Sequence, residues 1–149
     1  MKIRLKGLID TKRLGKIIAQ NLSGGEIIFL SGDLGSGKTT LTKEIAARIG
    51  VKEIVNSPTF TLVKEYQSGR LQLIHLDLYR LKSLSEEDAE MVDEYHDDHN
   101  VMIIEWGEAL LNDYPEAIVI EFKEIAGDER LVEVGNVTPS LIDELADNF

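Results

Sequence analysis

Apolar residues along this chain follow two rhythms, a period near two and a period near 3.6, and their alternation lays out an α/β domain. Lys2 to Gly7 alternates Ile3 and Leu5 with charges, which predicts an edge strand. Leu14, Ile17 and Ile18 then share one helical face from Thr11 to about Leu22, with Asp10 placed to cap it. Ser23-Gly24-Gly25 breaks that helix and leads into a short apolar strand, Glu26 to Ser31. Leu41, Ile45 and Ile49 mark a second helix from Lys38 to Ile49, with Gly50 where a helix-terminating residue belongs.

Asn56-Ser57-Pro58-Thr59 reads as a turn. Phe60 to Tyr66 and Leu71 to Asp77 flank the polar run Gln67-Ser68-Gly69-Arg70, which predicts an antiparallel hairpin. Ser85-Glu86-Glu87-Asp88 opens an acidic helix reaching roughly Asp98. Val101 to Glu105 is a buried-type strand, Ala117 to Lys123 and Arg130 to Val134 are two more, and Thr138-Pro139 starts a last helix carrying Leu141 and Leu145. The expectation is one domain over residues 1–149, α/β, with a parallel centre and an antiparallel hairpin edge.

Composition narrows the chemistry. A chain of 149 residues is most simply one domain, long enough to bury about 68–70% of its unfolded surface. It has no cysteine, which excludes disulfides, thiolate zinc and thiol nucleophiles. The start lacks a secretory h-region, and no apolar run approaches the ~20 residues of a membrane span, so a soluble, cytoplasmic protein is expected. The net charge of −11 is uneven: residues 1–83 hold 14 Lys/Arg and 7 Asp/Glu, whereas residues 84–149 hold 2 and 20. Such a chain is a poor free-standing nucleic-acid binder. The acidic half serves either solubility or docking on a basic partner surface, and sequence alone leaves both open.

One run carries the chemistry. Gly32-Asp33-Leu34-Gly35-Ser36-Gly37-Lys38-Thr39 matches G-x-x-x-x-G-K-[ST] in full, between a strand and a helix. The glycines bring backbone N–H groups against phosphate oxygens, Lys38 sets a cation on the β/γ-phosphates, and the Thr39 hydroxyl is a magnesium ligand. Asp33, Leu34, Gly35, Ser36, Gly37, Lys38, Thr39 and Thr40 are therefore the expected triphosphate contacts. Two apolar strands close on acids, Asp77 and Glu105, where ligands of α/β sheets gather; each acid either faces the phosphates or is a cap or surface acid.

Thr59 is either a mobile-loop sensor of the γ-phosphate or a turn hydroxyl. Arg80 either neutralises phosphate charge or pairs with an acid. Trp106 follows Glu105 and points to the opposite face if the strand continues, where it covers a ligand, meets a partner or fills the core. His96 and His99 flank Asp97-Asp98 and read as a solvated face rather than a metal site. No Asn-Lys-x-Asp run supports guanine selectivity, and no lid serves a phosphoryl acceptor.

Four blocks in order then resemble the bacterial TsaE (formerly YjeE) family, the ATPase component of tRNA threonylcarbamoyladenosine biosynthesis. They are Gly-Asp-Leu-Gly-Ser-Gly-Lys-Thr-Thr at 32–40, Ser-Pro-Thr-Phe-Thr-Leu-Val at 57–63, His-Leu-Asp-Leu-Tyr-Arg-Leu at 75–81 and Ile-Glu-Trp-Gly-Glu at 104–108. The resemblance implies a compact P-loop fold with a mixed, partly parallel sheet flanked by helices and a β-hairpin after the P-loop helix. It also implies a magnesium-dependent ATPase, weak alone and stimulated by TsaD and TsaB, that meets tRNA only through that complex. Thr39 and Glu105 match the family's magnesium positions, Asp77 an acid required for hydrolysis, and Thr11 and Arg130 contacts at the nucleoside end of ATP. The stretch Ala89 to Asn100 is more polar than the family tends to be, which bears on packing or partner contact and not on the nucleotide site. Two alternatives stay open: a small-molecule P-loop kinase, and a non-hydrolysing nucleotide-dependent assembly switch.

Overall fold

The strands that sit at the centre of this protein are those whose residues are apolar without alternation. In the computed structural model, which describes residues 1–58, 61–81 and 83–149, β2 (Ile27–Ser31) and β5 (Asn100–Glu105) are buried almost throughout. Both faces of such strands are covered, as in parallel sheets carrying helices on each side. β4 (Gln72–Asp77) and β6 (Ile118–Ala126) pair in parallel beside them, β4 with β5 and β6 with β2.

Antiparallel strands close both edges. β3 (Val63–Tyr66) lies against β4, giving the hairpin expected after the P-loop helix; Phe60, the expected start of that strand, lies outside the described residues. At the other edge β7 (Glu129–Gly135) runs against β6, and β1 (Lys2–Leu5) runs against β7. The sheet order is β1-β7-β6-β2-β5-β4-β3. This second antiparallel edge was not expected. Ala126-Gly127-Asp128-Glu129 lets β6 turn directly into β7, with Gly127 at φ 63°. The strand pair is thus longer than Ala117–Lys123 and Arg130–Val134 predicted.

Helices cover each face. α1 (Leu8–Gln20), α2 (Lys38–Arg48) and α4 (Pro139–Asn148) bury Leu14, Ile18, Leu41, Ile45, Leu141 and Leu145 against one face. α3 (Glu86–Tyr95) and a single 3₁₀ turn at Glu108–Leu110 put Val92 and Leu110 against Ile74, Leu76, Met102 and Ile104 on the other. Each fully buried Leu or Ile contributes about 1.5–3 kcal/mol, so the two apolar layers hold the sheet rigid beneath its C-terminal edge.

Helix boundaries differ from expectation for local reasons. α1 starts at Leu8, not Thr11, because Asp10 does not cap it. The Asp10 carboxylate accepts the Lys6 N–H at 2.9 Å from inside the first turn and pairs with Arg13 at 3.1 Å. α3 stops at Tyr95 rather than near Asp98: His96 is extended, and the Asn100 side-chain amide donates to the Tyr95 carbonyl at 2.7 Å. Further acids at the negative end of the helix would also be unfavourable.

The start of α3 is a reciprocal cap, Asp88 N–H to Ser85 Oγ at 3.1 Å and Ser85 N–H to the Asp88 carboxylate at 3.0 Å. Ser85→Ala removes one half of it. The expected loss is about 1 kcal/mol, seen as a melting-point fall of about 2–4 °C for a chain of this size. An unchanged melting point would make the cap irrelevant to stability. Among the described residues, no helix is long and apolar enough to cross a membrane.

Candidate functional site

β2 delivers the chain to Ser31, and α2 takes it up at Lys38; the loop between them must reverse within six residues. Close packing decides its residue types. A Cβ at Gly32 would stand 2.8 Å from Phe122 Cβ, and one at Gly37 would meet the Phe122 ring at 3.1 Å, with both glycines at positive φ. Phe122, buried on β6, therefore presses the loop into shape from beneath. Above Gly35, by contrast, a Cβ would meet nothing within 4 Å. That side is the open one.

The open side leads into a cavity of about 610 Å³ lined by residues 33–40 together with Ser57, Asp77, Tyr79, Glu105 and Trp106. The expected phosphate contacts thus all border it, and both acids join them. The reason is register: β4 and β5 are parallel with Asp77 beside Glu105, so both side chains leave the same face at the C-terminal end of the sheet. Each residue is only 5% exposed. Asp77 accepts the Tyr79 N–H at 3.0 Å, which fixes its carboxylate across the turn after β4.

Lys38 is held at the centre. Its ammonium donates to the Gly32 carbonyl and lies 3.8 Å from Glu105 Oε1 and 5.0 Å from the Trp106 ring. Thr39, exposed on the first turn of α2, borders the same cavity. Gly37 offers no side chain to cap α2, so the helix's leading N–H groups are left for an anion.

A second cavity of about 390 Å³ lies across the loop, bordered by Gly35, Ser36, Gly37 and Thr40 on one side and by Thr11, Asp128 and Arg130 on the other. Thr11 Oγ1 donates to the Gly7 carbonyl at 3.4 Å. Arg130 donates from Nε to the Ser36 carbonyl at 2.9 Å and from Nη1 to Gly127 and Glu129 carbonyls, so it also braces the loop.

Trp106 corrects the alternation argument. β5 ends at Glu105, and Trp106 takes φ 60°, which turns its ring back over the cavity instead of to the opposite face. It is 39% exposed and packs at 5.3 Å on Tyr79; it is not a core filler. Arg80 follows on the exposed turn after β4 and does not border this cavity. Thr59 lies outside the described residues.

His96 donates from Nε2 to the Gly25 carbonyl at 3.0 Å, away from the site. Among the described residues, no group of three or more His, Asp or Glu is gathered for a metal ion. One residue escaped the sequence reading altogether: His75, 1% exposed, whose Nε2 lies 2.9 Å from Glu105 Oε2. Inside an apolar run it reads as strand filling. Only its place two residues before Asp77, on the same face, hints otherwise.

Residues 5–132 match the family model described as "Threonylcarbamoyl adenosine biosynthesis protein TsaE". The chain belongs to the TsaE family. A protein of Bacillus subtilis strain 168 named "tRNA threonylcarbamoyladenosine biosynthesis protein TsaE" is 40% identical over 141 residues, covering 92% of this chain and 88% of that one. A TsaE protein of Aquifex aeolicus strain VF5 is 39% identical over 127 residues, covering 84% and 88%. The crystal structure of Bacillus subtilis YdiB superposes with a TM-score of 0.76 at 34% identity, covering 99% of this chain and 95% of that one.

Proposed function

We propose that this TsaE chain is a cytoplasmic, Mg²⁺-dependent ATPase that acts with TsaD and TsaB to drive or reset the threonylcarbamoyl-transfer complex in tRNA modification. The observation that carries this reading is the convergence of Lys38, Thr39, Asp77 and Glu105 on one cavity under a phosphate loop. The donor set suits magnesium: a hydroxyl and one or two carboxylates are hard oxygen ligands, and the remaining positions belong to phosphate and water. The open space above Gly35 and the uncapped start of α2 suit the phosphates themselves.

In this reading residues 33–40 wrap the phosphates with backbone N–H groups, and Lys38 leaves the Gly32 carbonyl for the β/γ-phosphate oxygens. Thr39 and Glu105 would hold the magnesium ion, whose charge would offset the negative charge that develops on the phosphates. Asp77, fixed by the Tyr79 N–H, orients the attacking water. Thr11 and Arg130 border the cavity suited to the nucleoside end. Tyr79 and Trp106 are exposed at the mouth, so the described residues leave the site open there, and a docked partner would order it and exclude water.

The test is phosphate release with and without purified TsaB–TsaD. Slow release alone and faster release with the partners is expected. A fast basal rate indifferent to them, or transfer of the γ-phosphate to a small acceptor, would overturn the proposal.

A further inference from the structure

The layer of side chains that β4 and β5 send toward α2 is apolar except near its end. On β4 it runs Leu73, His75, Asp77, and on β5 it runs Val101, Ile103, Glu105, in parallel register. Leu73, Val101 and Ile103 belong to the core beneath α1 and α2. His75 sits level with Ile103, with its side chain 2% exposed. An aliphatic residue would suit such a place better, since the imidazole's Nδ1 is buried there without a hydrogen-bond partner among the described residues. What the histidine contributes is at its other nitrogen. A carboxylate can only accept, so Nε2 carries the proton and donates to Glu105 Oε2 at 2.9 Å.

We infer that His75 is a positioning residue for the metal-binding carboxylate: it anchors Glu105 Oε2 in the core so that Oε1 stays turned toward the cavity. The inference rests on the reading of that cavity as a magnesium–ATP site. Two observations join in it. Oε1 is the oxygen that faces Lys38, at 3.8 Å, on the cavity side, and Oε2 is tied from behind by an imidazole whose other nitrogen has no hydrogen-bond partner among the described residues. When phosphates draw the Lys38 ammonium away, Glu105 loses its cation, and His75 remains to keep its rotamer. Donors behind a ligating carboxylate act in this way at metal sites, and their loss typically weakens metal affinity by about 10- to 100-fold.

The experiment uses His75→Asn and His75→Gln in the full chain, with Mn²⁺ titrated into the ADP-loaded protein and followed by electron paramagnetic resonance. The Asn amide is too short to reach Glu105, whereas the Gln amide reaches about as far as Nε2. His75→Asn is expected to weaken Mn²⁺ binding about tenfold or more while metal-free ADP affinity holds, and His75→Gln to recover most of the loss. Wild-type Mn²⁺ affinity in the Asn variant, equal loss in both variants, or equal loss of metal-free ADP affinity would overturn the inference.

Wild-type protein and Glu105→Gln are titrated alongside. If the wild type forms no Mn²⁺–ADP complex, or if Glu105→Gln keeps it intact, the magnesium reading of the site itself is wrong and this inference falls with it. If those two behave as expected, the His75 variants decide the inference alone. Should either variant fail to fold, imidazole ¹⁵N resonances of the wild type give the answer. An Nε2-protonated ring whose signals move when Mg²⁺ joins the ADP complex supports the role; signals that ignore Mg²⁺ overturn it.

Discussion

Lys38→Ala is expected to weaken ATP binding by roughly 30- to 150-fold, the equivalent of about 2–3 kcal/mol for a charge-assisted contact in a partly buried site. Lys38 has no substitute. It is the one lysine bordering the cavity among the described residues, and its ammonium is already gathered by Gly32, Glu105 and Trp106. The variant should still fold, because Glu105 keeps its bond to His75. Calorimetry on the purified chain reads the affinity directly, and near-normal binding would remove the premise that residues 32–39 cradle phosphates.

The two acids are expected to fail differently. Glu105→Gln should impair the magnesium-linked part of nucleotide binding. Its single remaining oxygen is claimed by His75, and its amide then faces Lys38 as a donor against a cation. Asp77→Asn keeps an oxygen for the Tyr79 N–H. It should therefore bind nucleotide nearly as well as the wild type but hydrolyse it roughly 100-fold or more slowly, the range seen when a positioned acid or base is lost. Binding with and without Mg²⁺, followed by partner-stimulated turnover, separates the two. Wild-type turnover in both variants would make the acids structural.

What could be read from the sequence was what chemistry or burial forces into a pattern. The glycine-lysine-threonine motif has a set spacing at Gly32, Gly37, Lys38 and Thr39, and double-sided burial makes β2, β4 and β5 largely apolar, with β4 and β5 ending in Asp77 and Glu105. The features that escaped depend on backbone choices with no periodic signature. Trp106 lines the site only because it adopts φ 60° at a strand end. Asp10 has the residue type of a cap, yet its carboxylate acts from within the helix. His75 was hidden by its neighbours, since one polar residue in an apolar strand carries no sign of the carboxylate it meets across the sheet. The β6–β7 turn was marked only by Gly127-Asp128, too short a signal to extend both strands to it.

The most direct measurement is a crystal structure of the chain with Mg²⁺ and a non-hydrolysable ATP analogue. It should place the β/γ-phosphates against residues 33–40 with Lys38 released from the Gly32 carbonyl, the metal between Thr39 and Glu105, and the base on the side of Thr11 and Arg130. A nucleotide bound elsewhere, or phosphates in this cavity with a metal that ignores both Thr39 and Glu105, would contradict the account.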